Sequence, residues 1–223
     1  MATITKQRTQ EDAIWNFGEV KTDDLTLSKL VIPQGLSEIL VAHRGKVGSG
    51  DIWDSTEKER VWTHGQPPLK FIAVKFRRFV RRYTLNEKDK KVYYDTTSFP
   101  QGVFERETVG PQGESLINEE ILEFQIHLIK DLEKGIKFPT LIEFKSFGLR
   151  IGKGLISSCV KAVSMGKTPA SVMFGLETEN ISYTTKEGQN TKFDIWKITK
   201  FNEKVKLDYI DTAFKTNSQK LLT

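Results

Sequence analysis

The stretch Phe71–Tyr83, FIAVKFRRFVRRY, combines five positive charges with four aromatic rings and contains no acid. Cationic side chains bind phosphates, and exposed aromatic rings stack on unpaired bases. This composition therefore indicates a surface for nucleic acid, and for single strands in particular. The alternative for the same residues is an edge strand whose charges protect against aggregation.

Alternate side chains of a strand point to opposite faces. One face of this stretch is mostly apolar and is predicted to lie on the core: Ile72, Val74, Phe76, Arg78 and Val80. The other face is predicted to contact the ligand: Lys75, Arg77, Phe79, Arg81 and Tyr83. Because Arg78 and Arg82 fall on the core side, the pattern also predicts a rim position for them or a bulge near Arg78.

A helix is the competing interpretation of this stretch, since several of its rings also recur at helical spacing. The chain continues as YTLNEKDKKVYYDT, in which a polar run separates two segments rich in aromatic and β-branched residues. That arrangement is typical of a hairpin and favours the strand.

Five further residues are candidates for the same surface. Tyr93 and Trp196 lie in predicted strands and are candidate stacking rings. Lys145, Arg150 and Lys153 lie along a predicted strand-to-helix joint, where a helix N-terminus adds positive potential for a phosphate. The alternatives are a core position for the two rings, which is common in strands, and a role in solubility for the three cations.

A metal-dependent nuclease is a rival interpretation. Glu143 and Lys145 stand two residues apart on a predicted strand, and Asp131 lies upstream. Two carboxylates that hold Mg²⁺ and a lysine that positions water make up such a site. So short a pattern also arises by chance on a solvent-exposed strand face. A third class left open is a structural or adaptor protein whose basic hairpin contacts another protein.

Composition limits the other classes. The net charge is +5, and residues 61–223 carry 26 Lys and Arg against 19 Asp and Glu, so the basic surface is expected on the body of the protein. A single cysteine excludes a disulfide framework or a cysteine zinc site. The chain shows no apolar run of membrane length and no signal-peptide pattern, so we expect a cytoplasmic protein without membrane contact.

The order of elements predicts a mainly β protein with one or two helices. EEILEFQIHL and PTLIEFKSF alternate as strands, GKGLISSCVKAVSMGKTP has helical spacing with Gly166 and Pro169 at its end, and two β-rich runs meet near Gly188. Several short strands with one helix between the later ones suit a five-stranded OB-fold-like barrel with insertions.

Two stretches resemble the OB-fold single-stranded DNA-binding proteins of tailed bacteriophages. They are LSKLVIPQGLSEILVAHRGKVGSGDIWDST and FPTLIEFKSFGLRIGKGLIS. The resemblance implies binding of single strands in phage DNA replication, recombination or repair, within the host cytoplasm. Members of this group often end in an acidic tail that recruits partners, whereas this chain ends in FKTNSQKLLT.

We therefore predict a non-enzymatic, sequence-tolerant single-stranded DNA-binding protein without catalytic residue, metal or cofactor. Its partners would be single-stranded DNA and phage replication or recombination proteins, with monomer and dimer both open. The predicted organisation is a flexible arm over 1–24, one domain over 25–205 with an insertion near 97–118, and a tail over 206–223. Within the arm, Ile14, Trp15 and Phe17 form an apolar cluster that is available to dock on the body or on a partner.

Overall fold

One sheet dominates the protein. The computed structural model describes residues 27–35, 37–87, 90–184 and 188–218, so the predicted arm over 1–24 lies outside it. Within the described residues the sheet has ten strands: Lys29–Val31 (β1), Ile52–Asp54 (β2), Glu59–Trp62 (β3), Leu69–Leu85 (β4), Lys91–Ser98 (β5), Glu107–Val109 (β6), Ser115–Leu128 (β7), Thr140–Lys145 (β8), Val172–Thr184 (β9) and Asn190–Lys204 (β10).

The long antiparallel pair β4 and β7 forms the centre of this sheet. The strand order is β10-β9-β4-β7-β8-β1-β2-β3, and β1 with β8 is the parallel pair. β9 pairs with the first residues of β4, and β5 pairs with its last residues. The hairpin of β4 and β5 is therefore present as predicted, and so is the hairpin of β9 and β10, where Gly188 adopts a φ of +81°.

A bulge divides β4 into two parts. The register against β7 shifts between Ala73 and Lys75, so Val74 is the extra residue. Before the bulge, alternation places Ile72 and Val74 in one apolar cluster and Phe71 and Ala73 in another. The prediction that a single face of β4 lies on the core is wrong for this part, because both faces are covered. The bulge lies before the predicted position near Arg78.

Four helices accompany the sheet in the described part of the chain: Glu38–Ala42 (α1), Ile129–Glu133 (α2), Leu149–Ser164 (α3) and Leu207–Ser218 (α4). α3 is the helix that the spacing predicts, and it packs over Leu122 and Phe144. Gly152 permits this approach, since a Cβ there would lie 3.0 Å from atoms of both side chains. A single 3-10 turn, Ser146–Gly148, joins β8 to α3 and contacts β10.

The two ends of the sheet meet through side chains, along a contact that we call the seam. Gln34 Nε2 donates to the carbonyl of Asp194 at 2.5 Å, and Ser49 Oγ donates to the Asp194 carboxylate at 2.7 Å. Thr178 Oγ1 donates to the carbonyl of Gly50 at 2.5 Å and lies 3.0 Å from Nδ1 of His64. β9 and β10 thus contact the loops around β2 and β3 without backbone pairing to them.

The mainly β class is confirmed, with more strands and helices than predicted. The sheet is mixed and open, so the five-stranded OB-type barrel is not confirmed. The predicted tail includes α4, of which Tyr209, Ile210 and Ala213 pack on the apolar cluster around Ile72. None of the described helices is long and apolar enough to cross a membrane.

Candidate functional site

The arginines of β4 are held by carboxylates. Arg77 Nε lies 2.6 Å from Glu123 Oε1, and Arg78 contacts Glu120 at 2.8 Å. Arg81 contacts Glu143 at 2.7 Å, and Arg82 pairs with Asp95. Lys75, half-buried, lies opposite Gln125. A phosphate at any of these arginines would have to compete with an acid that is already in place.

The rings of β4 occupy positions opposite to those predicted. Phe79 and Tyr83 are 7% and 9% exposed, whereas Phe76, predicted to lie on the core, is 45% exposed and stacks on Phe124. Arg77 and Arg81 lie over the Phe79 ring, and Lys91 lies over the Tyr83 ring. Because the paired cations cover these two rings, Phe79 and Tyr83 are packed residues and not open stacking surfaces.

A groove of about 580 Å³ lies between β8, β1 and β10, and we call it the central groove. Four of the ten predicted site residues line it: Arg81, Tyr93, Lys145 and Trp196. Tyr93 presents an exposed ring there, and Lys145 is exposed. Trp196 forms a wall instead, because its ring is 6% exposed and its Nε1 donates to the carbonyl of Glu143 at 2.9 Å.

Glu143 sets the charge at the floor of the central groove. Its Oε1 lies 2.7 Å from Lys29 Nζ and 2.7 Å from a guanidinium nitrogen of Arg81. Burial opposes ionisation of this carboxyl, but the hydrogen bonds from Arg81 and Lys29 outweigh it and hold its pKa below the usual range. Glu143 is therefore ionised, and its negative charge partly offsets the positive charges of Lys29 and Arg81.

An aromatic cluster stands at the rim of the central groove. The Phe147 ring is 52% exposed, with its centroid 5.2 Å from the Tyr183 ring and 5.1 Å from the Phe193 ring. Ser146, just before it, has a φ of +47°, a left-handed conformation that costs energy in a residue with a Cβ. Backbone strain of this kind concentrates at functional sites. Lys145 and Arg150 flank the turn and make no ion pair with any described residue.

The chain matches no family model, no curated protein and no solved structure. The resemblance to phage single-stranded DNA-binding proteins therefore stays a prediction that rests on its two sequence stretches alone.

The remaining predicted site residues lie elsewhere. Arg150 lines a second cleft that adjoins the central groove, between α3 and β10. Lys153 lies on α3 with its Nζ 3.5 Å from Glu120, and it lines neither space. Arg78 contacts the same carboxylate of Glu120. Lys153 and Arg78 therefore both lie on the helix-covered face of the sheet and away from the groove.

The three residues of the nuclease interpretation are not brought together. Lys145 pairs with Ile121, whereas Asp131 lies in α2, beyond the end of β7 at Leu128. Seven strand residues separate these positions, which is roughly 23 Å at the usual rise. Burial raises the pKa of Asp131, which lies near Asp54 and Glu59. No group of three metal-binding side chains occurs among the described residues.

Sequence reasoning missed the aromatic cluster. Its members come from the 3-10 turn and from both strands of the β9–β10 hairpin, which are far apart in the chain. One signal was present in the segment FKSFGLR, where Phe147 stands between Lys145 and Arg150. This ring between two cations is the same combination of residue types that predicts a nucleic-acid surface on β4.

Proposed function

We propose that the protein binds single-stranded DNA with little sequence preference, along the central groove and its aromatic rim. The carrying observation is the exposed Phe147 ring between Lys145 and Arg150, two cations without a carboxylate partner in the described part of the chain. Exposed rings stack on unpaired bases, and unpaired cations hold the backbone phosphates. Tyr93 supplies a second exposed ring at the other side of the same groove.

A single strand fits this surface better than a duplex does. The Phe147 ring lines the groove and contacts the Tyr183 ring, and a base must leave its stack to lie against the face of such a ring. In a duplex the faces of the bases are covered by their neighbours, and only edges and phosphates are presented. The rings therefore favour unpaired bases, and the cations alone would not discriminate.

The proposal also covers the biological role of the protein and the type of its β fold. We infer a non-enzymatic role in phage DNA replication, recombination or repair, with replication or recombination proteins as partners, on the strength of the two resembling sequence stretches. The OB-type barrel is likewise proposed, with the seam as support, since Gln34 and Thr178 connect the two ends of the open sheet through side chains.

Fluorescence anisotropy with labelled oligo-dT and with a duplex of equal length tests the proposal. We expect the single strand to bind more tightly, and Phe147→Ala to weaken its binding by about 1 to 3 kcal/mol with the salt dependence unchanged. Phe138→Ala is the matched control, because Phe138 is 59% exposed and lines neither groove.

Three results would contradict the proposal. The first is equal affinity for single strand and duplex, which would remove the role of the rings. The second is an equal effect of the two phenylalanine substitutions, which would remove the aromatic cluster from the site. Absence of binding to either nucleic acid would point to a structural or adaptor protein.

A further inference from the structure

The second cleft, between α3 and β10, differs in character from the central groove. It has a volume of about 650 Å³, and we call it the helix cleft. Its floor is largely aliphatic and is formed by Ile151, Leu155, Ile181, Ile195 and Ile198, together with Phe174. Aliphatic side chains offer no ring face to a base, and the Phe174 ring is only 1% exposed. This floor therefore suits bulky apolar side chains better than nucleotides.

The rim of the helix cleft is cationic. Arg150, Lys197 and Lys200 line it, against the single carboxylate of Glu179. Lys197 is paired with Glu177 at 3.1 Å, whereas Lys200 is exposed and makes no ion pair with a described residue. An apolar floor with a basic rim is complementary to a peptide that carries apolar anchors among acids.

The chain itself contains such a peptide. Residues 11–24, EDAIWNFGEVKTDD, hold Ile14, Trp15 and Phe17 together with five acids and one lysine. The segment is therefore complementary to the helix cleft in both respects, apolar anchor and charge. The proposed DNA-binding function makes no use of it.

The segment is also tethered near the cleft. Ser28 accepts a backbone hydrogen bond from Leu141, and Lys29, next to it, lines the central groove. That groove and the helix cleft share Phe147 and Ile195. The chain from Phe17 to Leu27, ten residue steps, spans up to about 35 Å when extended. The same chain can therefore supply the occupant.

We propose that the helix cleft binds residues 11–24 of the same chain. A short tether gives the segment an effective concentration of order millimolar, so it excludes a competing free peptide at micromolar concentration. This inference does not depend on nucleic-acid binding, and loss of oligo-dT binding would leave it intact.

The test uses the full chain and a fluorescein-labelled peptide of residues 9–26. In the variant Trp15→Ser/Phe17→Ser the two aromatic anchors of the tethered segment are removed, while Ile14 and all acids stay. We expect the peptide to bind this variant at least about tenfold more tightly than the unchanged protein. No binding to the variant, or equal binding to both proteins, overturns the proposal.

A second comparison locates the peptide. Lys200→Glu, added to the Trp15→Ser/Phe17→Ser variant, is expected to weaken peptide binding about fivefold or more because it reverses a rim charge. Lys204→Glu makes the same change on the same strand outside the cleft and is expected to leave binding unchanged. Equal effects of the two substitutions would place the peptide elsewhere and overturn the assignment.

Discussion

β4 and the joint between β8 and α3 both combine cations with rings, but the two regions differ in what surrounds them. On β4, Arg77 and Arg81 pair with acids of β7 and β8, and Phe79 is packed beneath them. At the joint, Phe147 is exposed, and Lys145 makes no ion pair with a described residue. A count of charges does not separate the two regions, whereas the presence of a carboxylate partner does.

The largest expected difference between the regions concerns stability. Phe79→Ala removes a buried ring that two guanidinium groups cover, and we expect a loss of about 3 to 4 kcal/mol in the free energy of unfolding. Phe147→Ala should change it by well under about 1 kcal/mol, because about half of that ring is exposed. Urea unfolding followed by tryptophan fluorescence measures both. Similar losses in the free energy of unfolding for the two variants would contradict the difference in burial between the two rings.

The β4–β7 region is also expected to respond to acid. Burial lowers the pKa of His127 from 6.5 to about 4. Between these values the unfolded chain takes up a proton that the folded protein refuses, so the free energy of unfolding falls as the pH drops from about 6.5 to 4, by roughly 3 kcal/mol in total. Urea unfolding at pH 7, 6 and 5 tests this.

The control for that pH dependence is His127→Gln, which removes the ionisable ring. In this variant the free energy of unfolding should be nearly flat from pH 7 to 5. A slope as steep as that of the unchanged protein would assign the acid sensitivity to other groups.

Glu143 tests how strongly the paired cations depend on their acids. Glu143→Ala leaves Arg81 and Lys29 without their shared carboxylate, and we expect a loss of about 2 kcal/mol in stability. The estimate is modest because Lys29 is one-third exposed. Glu203→Ala breaks the exposed pair with Lys70 and should cost less than about 1 kcal/mol. Equal costs would show that burial adds nothing to the Glu143 pairs.

The smallest expected effect separates the regions by the salt dependence of DNA binding. Lys145→Ala/Arg150→Ala should flatten the log-log slope for oligo-dT by about 1.4, since each lost phosphate contact contributes about 0.7 for single strands. Arg77→Ala/Arg82→Ala removes the same charge from β4 and should leave the slope unchanged, because those arginines are held by acids. The opposite outcome would return the binding surface to β4.

Local patterns were sufficient to predict the longest elements of this fold but not all of them. Helical spacing with Gly166 behind it located α3, and alternation identified β4, β7 and β8. The prediction that alternate residues from Lys75 to Tyr83 share one face of β4 was also correct, since this part of β4 pairs with β7 without a register shift.

What covers each face was not predictable, because burial depends on partners distant in the chain. The segment NEEILE supplies the acids of β7, some forty residues after the arginines of β4 that they neutralise. A bulge at Val74 then shifts the alternation by one residue. The residues after Val74 therefore lie on the opposite face from the one that strict alternation predicts. Neither a pairing register nor a bulge can be read from alternation within a single strand.

The seam has a consequence for the folding kinetics of the protein. Gln34 and Asp194 are 160 residues apart, and Thr178 and Gly50 are 128 residues apart. Closing such long loops costs chain entropy before any contact is gained, so we expect the seam to form late in folding. It is held by side chains and not by a backbone ladder, so we expect the seam to open before the strand pairs on either side of it separate.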